Sequence, residues 1–197
     1  MMKRTVDVIG AIIGLVLLTP VFLVVAIAVK LDSPGTVLFH QERIGRRFRP
    51  FRIHKFRTMV PDAVQRGGMI TVGDDPRITR VGRVLRRLKI DELPQLFNVL
   101  RGDMSFVGPR PEVRRYVELF REDYREILRM PPGITDLASL KYRNEAHVLA
   151  LASNPEETYI HHILPEKIAL AKEYTRHASL VFDLRVLCTT LWCVWRR

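Results

Sequence analysis

Cysteine is almost missing from the chain, which has only Cys188 and Cys193, both in the apolar C-terminal stretch. A disulfide framework and a cysteine-ligated metal site are therefore set aside, and both thiols are expected reduced in a packed or membrane-facing helix. His161, His162 and His177 make no metal spacing with a nearby Cys or carboxylate and are expected on the surface. Acidic residues are scarce beside basic ones, 21 Asp and Glu against 32 Lys and Arg, giving a formal charge of +11 and a pI near 10.2. That excess favours anionic partners: a phospholipid surface, nucleotides or nucleic acid. Internal repeats and low-complexity linkers are absent as well, so the 197 residues read as one domain of moderate size with a real core.

What the chain does have is a long hydrophobic run. Residues 8–29 are apolar apart from Thr19. A straight helix of that length reaches roughly 33 Å, enough to cross a bilayer. Pro20 lies near its middle, where it removes a backbone hydrogen bond and bends the helix, while the Thr19 hydroxyl can satisfy a carbonyl left free. Lys3 and Arg4 precede the run and Lys30 follows it, so a helix that enters and leaves by one face puts positive residues on the same side at both ends. The residues leave a spanning and a re-entrant course open. Lys3-Arg4, the apolar core and Ala26-Ile27-Ala28 also imitate a secretory signal, but the core exceeds the usual h-region of about 7–15 residues.

Between 36 and 60 the pattern turns to short strands around a turn at Gly45, with Phe48, Phe51 and Phe56 interleaved among Arg49, Arg52, Lys55 and Arg57. Bases alternating with aromatics suit single-stranded nucleic acid or a surface lying among lipid headgroups. Residues 61–76 carry Pro61, Gly67, Gly68, Gly73 and Pro76 and form a loop that could move over a site. Ile78, Val81, Leu85 and Leu88 then make an apolar stripe at helical spacing, with Arg80, Arg83 and Arg87 on another face, a pattern that suits the bilayer surface as well as ordinary packing.

The stretch from 89 to 111 carries the candidate chemistry. Asp91 is a good N-cap, Pro94 fits only a first helical turn and Gly102 sits where a C-terminal glycine belongs, which predicts a helix from about 92 to 101. Asp91 and Glu92 then stand at its positive end, where a carboxylate stays ionised and phosphate is attracted. Gly108-Pro109-Arg110-Pro111 is a stiff turn that presents Arg110 with little freedom, as bidentate phosphate binding requires. An ionised Asp at a phosphate site can attack phosphorus while its neighbour holds a divalent cation. Taken alone, the pair equally reads as a cap and a dipole-compensating charge.

Downstream, Val113, Val117, Phe120, Tyr124, Ile127 and Leu128 predict one helix over 112–130, stopped by Pro131-Pro132-Gly133. Helices are expected at 145–152 and 156–178, the second interrupted near Pro165. The tail places Leu180, Leu184, Leu187, Leu191 and Val194 on one face and ends in Trp192, Trp195, Arg196 and Arg197, which suggests an interfacial amphipathic helix.

DELPQLFNVLRGDMSFVGPRP resembles the signature of the bacterial sugar transferases, the monotopic polyprenyl-phosphate phosphoglycosyl transferases. The resemblance extends over the apolar N-terminal run, LDSPGTVLFHQERIG at 31–45, HKFRTM at 54–59, DPRITRVGRVLRR at 75–87 and PPGITDLA at 131–138. It implies an α+β, mostly helical fold with an N-terminal re-entrant membrane helix over 1–31, and a cytoplasmic domain over 32–197 with a small β-hairpin and interfacial helices. The implied reaction carries a phospho-sugar from a UDP-sugar to polyprenyl phosphate on the cytoplasmic face of a bacterial inner membrane, releasing UMP and starting glycoconjugate assembly. Asp91 is the implied nucleophile and Glu92 the Mg²⁺ ligand, with Arg110, Lys55 and Arg57 on phosphate oxygens; Arg77 and Arg80, nearest the 61–76 loop, are weaker candidates for the diphosphate, and Arg143 for the nucleotide or sugar. Nucleic acid is not an implied partner, and the sequence leaves open whether two copies form a homodimer. Two departures stand out: Thr19-Pro20 replaces the usual Ser-Pro at the helix break, and Asp136 and Ser139 replace a common Thr-Gly continuation, which points to a subgroup with its own donor sugar. A non-enzymatic basic module and a membrane phosphohydrolase using the same Asp91 are the competing readings.

Overall fold

A computed structural model describes residues 2–68 and 70–196. Arg197, placed above at the end of the tail, lies outside the described residues. The chain opens with α1 (Met2–Asp32), whose 31 residues would extend about 46 Å. The helix runs uninterrupted through Pro20. The break expected there is thus a missing hydrogen bond inside a continuous helix, because proline has no N–H to give. Thr19 Oγ1 donates to Leu15 O at 2.8 Å, one carbonyl earlier than the one Pro20 leaves unserved.

An antiparallel hairpin follows, β1 (Leu38–Ile44) on β2 (Pro50–Phe56), with Ile44 opposite Pro50. Its turn begins at Gly45 as expected, and Gly45 N donates to Arg49 O at 2.8 Å. The glycine-rich stretch holds one turn of helix, α2 (Ala63–Arg66), and leads into α3 (Arg80–Leu88), capped by Thr79 Oγ1, which accepts from Gly82 N. Leu85 is buried in α3 and Val81 half-buried, while Leu88 and the three arginines of the basic stripe are exposed. Then come α4 (Gln95–Arg101), β3 (Ser105–Val107), α5 (Arg114–Leu119) and α6 (Arg121–Ile127). The single helix expected over 112–130 is split because Phe120 leaves helical geometry at φ −121° and ψ 38°.

The remainder is β4 (Gly133–Thr135), α7 (Leu137–Lys141), α8 (Glu145–Ala150), α9 (Pro155–Thr158), α10 (Leu164–His177) and α11 (Leu180–Trp195). A π turn at Tyr159–Ile163 joins α9 to α10 immediately before Pro165, which lacks the donor that α-helical spacing would use. His161, His162 and His177 are exposed, Cys193 is buried and Cys188 exposed, and neither thiol is in a disulfide.

Four apolar clusters hold these elements. Tyr124, Ile127, Leu149, Ile163 and Leu164 form the helical core, Val107 packs with Tyr174 and Val186, Ala11 packs with Ile53, Val99 and Met104, and Val25 and Val29 pack with Phe56 and Leu85. The last two clusters seat opposite halves of α1 on the same body. Between them one long flank of α1 stays bare, with Val16 67% exposed, Leu17 71% and Val24 67%. The helix is long and apolar enough to cross a membrane.

The parallel pair of β3 and β4 is too short for any alternation to reveal in the sequence. Two glycines make it possible. A Cβ on Gly133 would stand 2.1 Å from Gly108 N, and one on Gly108 would stand 2.6 Å from Pro131 O. The backbones therefore cross where only hydrogen fits. Gly133→Ala is expected to destabilise the fold by about 3 kcal/mol. A thermal unfolding midpoint equal to the parent's would show that the crossing can open.

Candidate active site

The site forms where α3 gives way to α4. Lys89 adopts a left-handed conformation at φ 59° and reverses the chain, so that Ile90–Glu92 form a separate 3₁₀ turn and Pro94 opens α4. This corrects the expected cap: Asp91 is inside the 3₁₀ turn and makes no side-chain capping bond. Gly102 does end α4 in the left-handed region at φ 93°, its N–H donating to Asn98 O and Val99 O.

Asp91 and Glu92 are both buried. Lys55 Nζ, from β2, donates to Glu92 Oε1 at 2.7 Å, and Arg110 Nη2 donates to the same oxygen at 2.9 Å. Asp91 Oδ1 is buried without a hydrogen-bond partner. The two neighbours therefore differ sharply: one carboxylate has two cations on a single oxygen and the other is left with an unserved oxygen. Burial pushes both carboxyls up. For Asp91 it wins, with the Glu92 charge adding to it, against the attraction of Lys55, Lys89 and Arg86. For Glu92, burial is outweighed by Arg110, Lys55 and Lys89, which hold the carboxyl well below the usual range. Glu92 in turn pushes the Arg110 guanidinium further up.

Arg110 is fixed from several directions. Its Nη1 donates to Ser139 Oγ at 3.5 Å, and Ser139 is held by its own N–H, which donates to Asp136 Oδ1 at 2.8 Å. Downstream, buried Glu112 accepts from Tyr159 OH at 2.8 Å and Arg43 Nη1 at 3.4 Å, while its carbonyl accepts from Ile44 N at 2.9 Å. The turn predicted to be stiff is therefore stapled to β1 on one side and to β4 on the other.

The structure brings Asp91, Glu92, Lys55 and Arg110 together. It takes Arg57 elsewhere: this guanidinium donates to the carbonyls of Pro34, Ser33 (2.7 Å) and Val29 (3.4 Å), closing the C-terminal end of α1. Arg77 is likewise committed. It grips Asp75 through Nε at 2.9 Å and Nη2 at 2.6 Å, and donates to the carbonyls of Ala63, Gly68 and Ile70, so it organises the loop over 61–76. Arg80 and Arg143 are exposed, as are Thr19 and Pro20.

Sequence reasoning missed Arg86. Its Nε donates to Thr58 Oγ1 at 2.8 Å and its Nη1 to Thr71 Oγ1 at 3.3 Å, and the charges of Asp91, Asp75 and Glu92 act on it. Helical periodicity gave the signal, because it separates Arg86 from the exposed stripe of Arg80, Arg83 and Arg87.

The chain is thus a mostly helical, strongly basic domain with one helix long and apolar enough to cross a membrane and a buried Asp-Glu pair set between Lys and Arg. The chain belongs to the bacterial sugar transferase family, whose description matches residues 1–197. It is 41% identical over 194 residues to the UDP-N-acetylgalactosamine-undecaprenyl-phosphate N-acetylgalactosaminephosphotransferase of Aeromonas hydrophila, covering 96% of this chain and 42% of that protein. The UDP-glucose:undecaprenyl-phosphate glucose-1-phosphate transferase of Escherichia coli strain K12 is 36% identical, with 97% of this chain and 39% of that protein covered. This chain thus spans less than half the length of those two relatives. The exopolysaccharide production protein PSS of Rhizobium leguminosarum bv. phaseoli is 38% identical over 96% of this chain and 93% of its own length.

Proposed function

We propose that this chain is a membrane-embedded phosphoglycosyl transferase that moves a sugar 1-phosphate from a UDP-sugar to undecaprenyl phosphate, starting the assembly of a glycan. The observation that carries this reading is the asymmetry of the pair. Glu92 is held by Lys55 and Arg110, while beside it Asp91 keeps a buried oxygen free to act as nucleophile.

In the first half-reaction an Asp91 carboxylate oxygen bonds to the phosphorus that bears the sugar. The bond from that phosphorus to the bridging oxygen breaks, and UMP leaves with that oxygen. In the second, an oxygen of undecaprenyl phosphate attacks the same phosphorus and Asp91 is released as a carboxylate. One side chain thus serves both steps, which predicts ping-pong kinetics. Arg110 and Lys55 bind and orient the diphosphate oxygens, and a guanidinium fixed on a stiff turn loses little freedom in doing so.

The residues also fit Mg²⁺. Among the described residues, no cluster of three or more His, Cys, Asp or Glu groups is set to hold a metal by protein alone. Mg²⁺ instead takes one or two carboxylates together with phosphate oxygens and water. Glu92 is such a carboxylate, its contacts with Lys55 and Arg110 both falling on Oε1. When bound, the ion supplies charge neutralisation to the phosphoryl oxygens.

The re-entrant course of α1 belongs to the same proposal. Both ends of the helix are fastened to one body, Lys3 on Val107 O at 3.0 Å and Asp32 Oδ2 on Val81 N at 2.9 Å, while the apolar middle is bare. A helix threaded straight across a bilayer would carry one of those contacts to the far side. Exposed Leu184, Leu191, Trp192 and Trp195 on α11 extend the apolar surface. Lys3, Arg4 and Lys30 flank the run at both ends, which supports the cytoplasmic face as the side on which the helix enters and leaves.

The test is incubation with a panel of UDP-sugars and Mg²⁺ followed by intact mass. An adduct of one phospho-sugar in the parent, absent in Asp91→Asn, is expected. Catalytic release of sugar phosphate without added undecaprenyl phosphate would replace the transferase with a phosphohydrolase, and an adduct surviving in Asp91→Asn would end the assignment of the nucleophile.

A further inference from the structure

A carboxylate inside a helix destined for lipid is expensive, and one that is retained calls for a named partner. Asp7 lies in the second turn of α1 and is only 5% exposed. Its Oδ1 accepts from Ser105 Oγ at 3.1 Å and from Phe106 N at 3.2 Å. Both donors belong to β3. Lys3, one turn earlier on the same helix, donates to Val107 O at 3.0 Å and is tied to Asp183 on α11. Each residue of β3 is therefore gripped by the first turns of the apolar helix.

What β3 leads to gives the grip its consequence. After Val107 the chain enters the glycine crossing, where Gly108 N donates to Thr135 O at 3.2 Å and Pro109 O accepts from Gly133 N at 3.0 Å. Pro109 fixes its own φ. The next residue is Arg110, on Glu92. Backbone hydrogen bonds thus run from β3 through Gly108 and Pro109 to the residue that carries the guanidinium.

We propose that Asp7 is a positioning residue for the donor diphosphate: it sets the register of β3 against α1, and so fixes where Arg110 stands. It touches no substrate, and it acts through Arg110 alone among the site's cations, since Lys55 reaches Glu92 from β2. This rests on the transferase reading above.

The experiment uses the full chain in lipid nanodiscs, with transfer measured from the UDP-sugar that labels the parent. Asp7→Leu removes the oxygen that accepts both bonds, Ser105→Ala removes one donor, and Asp7→Asn keeps an acceptor oxygen in place. Asp7→Leu is expected to raise the KM for the donor by about tenfold with kcat changed less than threefold, Ser105→Ala to raise it about threefold, and Asp7→Asn to stay within twofold of the parent. In an Arg110→Lys background the effect of Asp7→Leu on kcat/KM should vanish, because the group it positions is gone.

Equal losses in kcat/KM in both backgrounds, or a loss in kcat alone, would overturn the proposal and leave Asp7 a plain stabilising contact. So would an Asp7→Asn variant as impaired as Asp7→Leu. If Asp7→Leu fails to fold, Ser105→Ala in the two backgrounds decides by the same criteria. A parent that turns over no UDP-sugar would instead refute the transferase reading itself.

Discussion

Asp91→Asn is expected to lose transfer by a factor of about 10⁴ or more while melting a few degrees above the parent. The first half follows from the chemistry, since an amide oxygen cannot form the phosphoryl ester that both half-reactions share. The second follows from the environment. Burial and the Glu92 charge raise the Asp91 carboxyl above its ordinary range, and one of its oxygens has no partner.

The sign is then fixed by linkage. A carboxyl whose folded value is raised binds its proton more readily in the folded state, so its ionisation costs stability once the pH exceeds the unfolded value near 3.9. Asn removes that cost. The expected gain is about 1 kcal/mol, or roughly 2–4 °C at this chain length, present at neutral pH, fading as the pH falls through the raised value and gone below the ordinary carboxylate value. Transfer by the parent should fall with pH at an acid limb displaced upward, because only the deprotonated carboxylate attacks. Thermal melts of parent and variant at pH 7.5 and pH 4, with a pH profile of kcat, check all three. A variant that melts lower than the parent at pH 7.5 would mean that the attraction of Lys55, Lys89 and Arg86 for Asp91 outweighs its burial.

The parts of the fold that sequence reveals are those with a repeating physical signal. The apolar run, the hairpin about Gly45 and the glycine that ends α4 all follow from hydrophobic period or from a conformation only glycine adopts readily. β3 and β4 left no such trace, because three residues cannot show alternation. The left-handed turn at Lys89 is invisible for another reason: a lysine carries no signal for positive φ, so the sequence suggested that Asp91 was a cap. At the site, Lys55 and Arg110 could be picked out beside the pair, and Arg57 could not be separated from Lys55. Both lie two apart near the end of β2 and by strand period share a face. What divides them is the end of α1, whose last carbonyls need donors and take the Arg57 guanidinium. That demand comes from a segment more than 20 residues away in the chain, which local pattern cannot report.

Glu92→Gln is expected to lower stability by about 2–3 kcal/mol and to abolish the dependence of transfer on Mg²⁺. Lys55 and Arg110 converge on one oxygen of Glu92, and the side chain of Glu92 is 11% exposed, with Lys55 at 18% and Arg110 at 32%. Replacing the carboxylate with an amide leaves two cations facing a neutral oxygen in a largely dry site. Removing one partner of a fully buried pair costs about 3–5 kcal/mol, and the partial exposure of Arg110 lets water recover part of it. The midpoint should fall by about 5–10 °C. Because Glu92 is held well below the usual range, its contribution is present above the unfolded value near 4.3 and is lost only as the pH falls through the depressed value. The parent should therefore lose stability on strong acidification along a limb that Glu92→Gln lacks. The decisive measurement is a double-mutant cycle with Lys55→Met, which removes one of the stranded cations. If the clamp is the source of the stability, Glu92→Gln with Lys55→Met is markedly more stable than the sum of the single losses implies. Additive losses would show that the two charges do not depend on the carboxylate between them, and the assignment of Glu92 as the shared counter-ion of the site would have to be given up.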